Sequence, residues 1–162
     1  MAKRMSILGA GPVVAVFTGL YLAATIWASF GWPLLFAIDA VPYPWLAAAG
    51  VLLFVAAAPV YAVTVRTTFR AYRENRLVTT GAYAICRHPL YALWILLIVP
   101  GVALLLKSWL VLTVALFMYV ATRIAVRREE EELESLFGEE YVDYKNRVGA
   151  IFPTLGRVRL KR

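Results

Sequence analysis

The stretch "RHPLYALWILLIVPGVALLLKSWLVLTVALFMYVATRIAVRREEEE" runs from Arg87 to Glu132. It opens on Arg87 and the only histidine of the chain, His88, and closes on four consecutive glutamates. Between them lie two apolar runs, Pro89–Leu106 and Trp109–Val126, parted by Lys107 and Ser108 alone. A membrane-crossing helix needs about 20 apolar residues, with a range near 17–25, so both runs qualify narrowly. A linker this short permits only an antiparallel hairpin. Such a hairpin returns the chain to the surface it left, which makes His88 and Glu129 neighbours in space.

Composition agrees with a membrane protein. Of 162 residues, 62% are hydrophobic and mean hydropathy is +0.71, well above the roughly 45–50% apolar content of soluble domains. Two further runs, Ile7–Phe30 and Trp45–Val65, are long enough to span, and the first exceeds a signal-peptide core of about 7–15 residues. The expected fold is all-α: one domain over residues 1–162, a bundle of four transmembrane helices with a helical C-terminal tail. The net charge of +7 could suit nucleic acid. The arginines and lysines nevertheless border apolar runs, which predicts membrane lipid as their partner and no nucleic acid. The single cysteine, Cys86, rules out an internal disulfide.

Orientation follows from the same residues. Lys3 and Arg4 precede the first run, and Arg66, Arg70, Arg73, Arg76 and Arg87 follow the second. Arg127, Arg128, Lys145, Arg147, Arg157 and Arg159 follow the fourth, while the 31–44 loop has no basic residue. Positive loops stay cytoplasmic, so a multi-pass protein with both termini inside is expected. Residues 66–80 read as a short helix leaving the membrane, with Arg66, Arg70 and Arg73 on one face as a basic collar over anionic lipid. Pro100-Gly101 should bend the third helix. Gly19 and the alanines of the first two helices permit close helix packing. In the tail, Gly138 stops one helix, and Leu133, Leu136, Phe137, Tyr141 and Tyr144 recur at helical spacing.

Each polar residue near the hairpin mouth has a plain explanation taken singly: Tyr83 and Tyr91 as interfacial aromatics, the glutamates as a solvated face. Together they suggest a site. Pro89 suits a first helical turn, whose free N–H groups attract anions. A glutamate of the partner helix can hold an amine or ribose hydroxyls, and tyrosines can sandwich a flat ring.

"LVTTGAYAICRHPLY", a hydrophobic hairpin and "EEEELESLFGEEYVDYKNRVGAIFP" together resemble the isoprenylcysteine carboxyl methyltransferase family, with the related integral-membrane phospholipid N-methyltransferases. The likeness covers roughly Asn75 to Pro153. It implies S-adenosyl-L-methionine as cofactor, leaving as S-adenosyl-L-homocysteine, and a lipid-like acceptor entering from the bilayer. It also implies cofactor binding by Asn75, Arg76, Leu77, Val78, Tyr83, His88, Pro89, Leu90, Tyr91 and Glu129. Catalytic roles fall to His88, Glu130 and Arg147, the last by family position alone. Glu129 is expected at the site and Glu132 on the solvated face. The sequence departs from the family at Ala125, where the carboxyl methyltransferases carry an arginine for the substrate carboxylate, and at Gly149, where they carry proline. Methyl transfer needs mainly alignment of acceptor, methyl and sulfur. A carboxylate acceptor needs no base, whereas an amine must first lose a proton to Glu130 or His88. No metal is expected from one histidine and a glutamate run. The competing readings are an NAD(P)H-dependent membrane reductase of the sterol-reductase type and a non-catalytic membrane protein.

Overall fold

The computed structural model describes residues 11–152. The expected helix start at Ile7, the basic residues Lys3, Arg4, Arg157 and Arg159, and the motif end at Pro153 lie outside the described residues. Those described form helices α1 (Gly11–Gly31), α2 (Pro33–Phe36), α3 (Tyr43–Glu74), α4 (Pro89–Leu93), α5 (Val99–Leu105), α6 (Trp109–Phe137) and α7 (Glu139–Arg147). No β-sheet occurs among them.

Three helices, α1, α3 and α6, are long and apolar enough to cross a membrane by length and composition. The third apolar run differs from the expectation. Pro89–Leu105 is shorter and irregular: α4 and α5 are joined by a π-helical turn at Trp94–Ile98, where the Val99 N–H reaches back to the Trp94 carbonyl. Seventeen residues rise roughly 26 Å, a little less than a hydrocarbon core of about 30 Å. The expected irregularity at Pro100 falls one turn earlier. Pro100 has no N–H to give, and the widened turn just before it is where the hydrogen-bond ladder adjusts.

The α3 helix is also longer than its apolar run. It continues without a break to Glu74, and Asn75 ends it in the left-handed conformation (φ 48°), so the chain is already a loop where residues 75–80 were expected to be helical. At the other end of the rod, Gly50 and Gly101 bring α3 and α5 together. A Cβ on Gly50 would lie 2.9 Å from Leu105 Cγ and 3.0 Å from the Gly101 carbonyl oxygen. Gly19, by contrast, has nothing within 4 Å of a would-be Cβ, so close packing is set by Gly50 rather than Gly19.

Polar side chains mark the α1–α6 seam. Ser29 and Ser108 hydroxyls are 2.7 Å apart, and Tyr21 and Thr113 hydroxyls 3.0 Å apart. The α5–α6 turn is tight. Lys107 adopts φ 52°, and the Ser108 N–H bonds the Ala103 carbonyl at 2.9 Å. The hairpin expected from the short linker is therefore present. Gly138 (φ 55°) separates α6 from α7 as expected of a stop residue.

Gly50→Ala places a methyl group against backbone at a crossing with no slack, an overpacking cost of about 1–3 kcal/mol. Thermal unfolding in detergent should show a midpoint several degrees lower, whereas Gly19→Ala leaves it within a degree or so of wild type.

Candidate functional site

The α6 helix carries its buried residues at three- and four-residue steps: Val111, Val114, Met118, Thr122, Val126 and then Glu130. The apolar stripe that faces the bundle thus ends on a carboxylate, only 7% exposed. An ion of this kind must be paired. Arg87 supplies the pair, its Nε and Nη2 donating to Glu130 Oε1 at 3.0 and 2.5 Å. Lys145 Nζ lies 3.3 Å from Glu130 Oε2. The remaining Arg87 nitrogen, Nη1, donates to the carbonyls of Lys145, at 2.9 Å, and Val148. These carbonyls belong to the last turn and C-cap of α7, where a helix leaves acceptors unsatisfied and favours a cation. The backbone follows the side chain: Arg87 N–H donates to Gly149 O at 2.8 Å and His88 N–H to Ala150 O at 2.9 Å. One arginine therefore ties the hairpin mouth, α6 and the end of α7 together.

This clasp closes one side of a cavity of about 320 Å³, at the lower end of the usual ligand-pocket range of about 300–1,000 Å³. Arg76, Leu77, Val78, Tyr83, His88, Pro89, Leu90, Tyr91 and Glu129 all line it, nine of the ten residues expected to bind a cofactor. Asn75 is not on the wall; its left-handed backbone ends α3 and starts the loop that carries Arg76 to Val78 inward. Of the three expected catalytic residues, only His88 lines the cavity. Glu130 sits behind the wall, both oxygens engaged by the clasp. Arg147 is exposed on α7, its Nε donating to the Asp143 carbonyl at 3.1 Å.

Glu129 and Glu132 share the cavity, which differs from the expectation of a solvated Glu132. Residues three apart lie on one helix face, whereas Glu130 is rotated about 100° away. Tyr91 OH donates to Glu129 Oε1 at 3.3 Å, and His88 Nδ1 stands 3.7 Å from Glu129 Oε2. Thr68, Ala71 and Tyr72 of α3, Tyr141 and Tyr144 of α7, and Gly11 complete much of the lining. The α3 residues were not anticipated. Their signal is faint: buried residues recur on α3 at seven-residue steps, Gly50, Ala57, Thr64 and Ala71, which predicts that the inward face continues past Val65.

The tyrosines are held as well as buried. Thr68 Oγ1 gives its proton to the Thr64 carbonyl at 2.7 Å, so the Tyr83 hydroxyl, 2.6 Å from Thr68 Oγ1, is the donor of that pair. Tyr144 OH donates to the Tyr83 carbonyl at 2.6 Å. Burial raises the pKa of Tyr83 and of Tyr144 above the usual phenol value, so both stay neutral donors. Burial likewise pushes the Cys86 thiol up to about 11, leaving it protonated near neutral pH and unsuited to nucleophilic work. Ala125 packs beside the buried cluster of Cys86, Ile95, Met118 and Ile151. Arg123 and Arg127, two residues to either side, are exposed and do not restore a cation at that position.

Known proteins resemble this chain in sequence and in fold. The family model of the isoprenylcysteine carboxyl methyltransferase (ICMT) family matches residues 46–136, more than half of the chain. Protein-S-isoprenylcysteine O-methyltransferase of Rattus norvegicus is 31% identical over 125 residues, covering 72% of this chain and 44% of the relative. The cobalt-zinc-cadmium resistance protein CzcN of Cupriavidus metallidurans is 34% identical over 87 residues, covering 54% of this chain and 40% of the relative. The chain thus spans less than half the length of either. A solved structure of the eukaryotic intramembrane Ras methyltransferase ICMT superposes with a TM-score of 0.62 at 22% identity, over 92% of this chain and 54% of that one, a likeness of fold.

Removing one member of a buried ion pair strands the other, at a cost of roughly 3–5 kcal/mol. Arg87→Gln should therefore lower the unfolding midpoint strongly and speed amide hydrogen exchange across α7. Arg123→Gln, at an exposed arginine of the same helix bundle, leaves both unchanged.

Proposed function

Because the chain belongs to the isoprenylcysteine carboxyl methyltransferase family, we propose that it catalyses transfer of a methyl group from S-adenosyl-L-methionine to a lipophilic acceptor that reaches the cavity from the bilayer. The observation that carries this reading is the wall itself, in which His88, Tyr91 and Glu129 from the two arms of one hairpin meet in a single cavity. The residue chemistry fits the cofactor. Glu129 and Glu132 offer carboxylates to a cationic amine or to ribose hydroxyls. Tyr72, Tyr83 and Tyr91 offer ring faces and neutral hydroxyls, and Leu77, Val78 and Leu90 give the apolar surface a nucleoside base needs.

When bound, the cofactor supplies an electrophilic sulfonium methyl group. The protein's share of the reaction is alignment and exclusion of water. His88 and Pro89 set the start of α4, so the imidazole and the Glu129 carboxylate hold fixed positions relative to one another. Glu130 keeps Arg87 and the end of α7 in place and stands 3.5 Å from His88 Nε2 through Oε1, a positioning residue that does not itself line the cavity. Arg147, exposed at the end of α7, has a role in steadying the tail or the acceptor. The acceptor we favour is a carboxylate on a prenyl-like chain. A carboxylate is already nucleophilic and needs no base, and Glu130, one of the two residues expected to serve as one, is committed to the ion pair with Arg87 behind the wall. With Ala125 in place of the family's arginine, this chain must hold that carboxylate by other means. The arginine and lysine distribution supports a fourth span through Pro89–Leu105, both termini in the cytoplasm and a cavity opening on that side.

Calorimetry on the detergent-purified chain tests the proposal directly with S-adenosyl-L-homocysteine as probe. The wild type should bind, and Glu129→Gln and His88→Ala should each weaken binding about tenfold or more, the loss expected for one charge-assisted contact. Glu132→Gln, lacking the Tyr91 contact, should cost less. Membranes incubated with labelled methyl donor should yield an alkali-labile methyl ester; an alkali-stable product would identify an amine acceptor instead. Binding of NADPH with no affinity for the homocysteine nucleoside would overturn the assignment.

A further inference from the structure

The α3 helix has a second face that the cavity does not use. Opposite Thr68, Ala71 and Tyr72, the side chains of Val65, Arg66, Phe69, Arg70, Arg73 and Glu74 form a shallow groove on the outside of the bundle. Its residues follow the same three- and four-residue steps as the exposed apolar stripe of the spanning segment, Leu52, Val55 and Val63, so the groove extends the lipid-facing surface without a turn in direction. Phe69, 61% exposed between these arginines, is a large apolar ring that no other element covers.

The length of the helix gives the depth of this groove. Trp45, exposed near the start of α3, suits one membrane interface. From Trp45 to Val65 the rise is roughly 30 Å, the thickness of a hydrocarbon core. Arg66, Arg70 and Arg73 then fall within about the next 12 Å, the zone of headgroups and the water just beyond. Arg66 and Arg73 make no hydrogen bond or ion pair to another described residue. Arg70 pairs with Glu74 at 2.7 Å on the open surface, a contact readily exchanged for a phosphate. Guanidinium groups bind phosphate oxygens bidentately, and an aromatic ring seats at the glycerol level.

We propose that this groove is a binding site for the headgroup of an anionic phospholipid, with Arg66, Arg70 and Arg73 on its phosphate and charged headgroup, Val65 at the depth of its upper acyl chain and Phe69 packed among the guanidinium groups. The site stands independently of the methyl-transfer reading, because it shares no residue with the cavity.

Native mass spectrometry of the detergent-purified full chain, with no methyl donor present, tests it by competition between equal amounts of phosphatidylglycerol and phosphatidylcholine. Wild type should retain the anionic lipid with a preference of about tenfold or more, as expected for several arginines at a headgroup. Arg66→Gln, Arg70→Gln and Arg73→Gln combined should abolish the preference. The charge-matched set Arg123→Gln, Arg127→Gln and Arg128→Gln on α6 should preserve it. Phe69→Ala, which leaves every charge in place, should weaken retention of both lipids and shows the groove itself at work. Should the triple variant fail to fold, Arg66→Gln alone reports the loss as a several-fold drop. A wild type without preference, or an equal loss in the α6 set, overturns the proposal.

Discussion

The bond network around Arg87 is the constraint on which the site rests. Three separate pieces of chain meet at its guanidinium: the loop before α4, the buried stripe of α6 through Glu130, and the last carbonyls of α7. Desolvating two charges costs several kcal/mol per ion, and a pair seldom returns more than it loses. Here the arginine also satisfies two helix-end carbonyls that would otherwise lack donors, and Lys145 takes the second oxygen of Glu130. A pair placed in this way specifies one arrangement of the three elements. The cavity wall is a consequence of that arrangement.

Helix geometry then divides the acidic run. Successive residues of α6 are turned about 100° from one another, so four glutamates in a row cannot share one role. Glu129 and Glu132 look into the cavity, while Glu130 completes the inner stripe and fastens the clasp. The same division operates on α3. Thr68, Ala71 and Tyr72 line the cavity, and Arg66, Phe69, Arg70 and Arg73 lie on the opposite face. A single long helix therefore serves as the wall of a pocket on one side and presents an exposed, arginine-rich face on the other.

The shorter apolar rod, Pro89–Leu105, shows how a helical bundle accommodates irregular backbone. The π-helical turn and Pro100 disturb the hydrogen-bond ladder where α3 and α6 pack against it, and neighbouring helices can shield polar groups that lipid would penalise. Gly50 and Gly101 bring α3 and α5 close enough for this shielding. Regular helix would have carried the cavity residues Leu90 and Tyr91 in a different register relative to the buried residues beyond the turn.

The all-helical class, the hairpin and the stop at Gly138 were legible from residue order, because each follows from local rules: apolar run length, a linker too short for anything but reversal, a glycine between two helical periods; most of the cavity lining came instead from the resemblance to a known family. Reading the glutamates was harder, since a run of four identical residues carries no internal contrast; only the stripe from Val111 to Val126, extended by four, points to Glu130 as the buried member. Chain order alone determined that the Arg-His-Pro turn and the acids return to one surface. Tertiary structure decided which acids face the cavity, that the Arg87 guanidinium joins Glu130 to the end of α7, and that α3 supplies a third wall. Those outcomes depend on the rotation and axial position of packed helices relative to each other, which short-range sequence patterns do not encode.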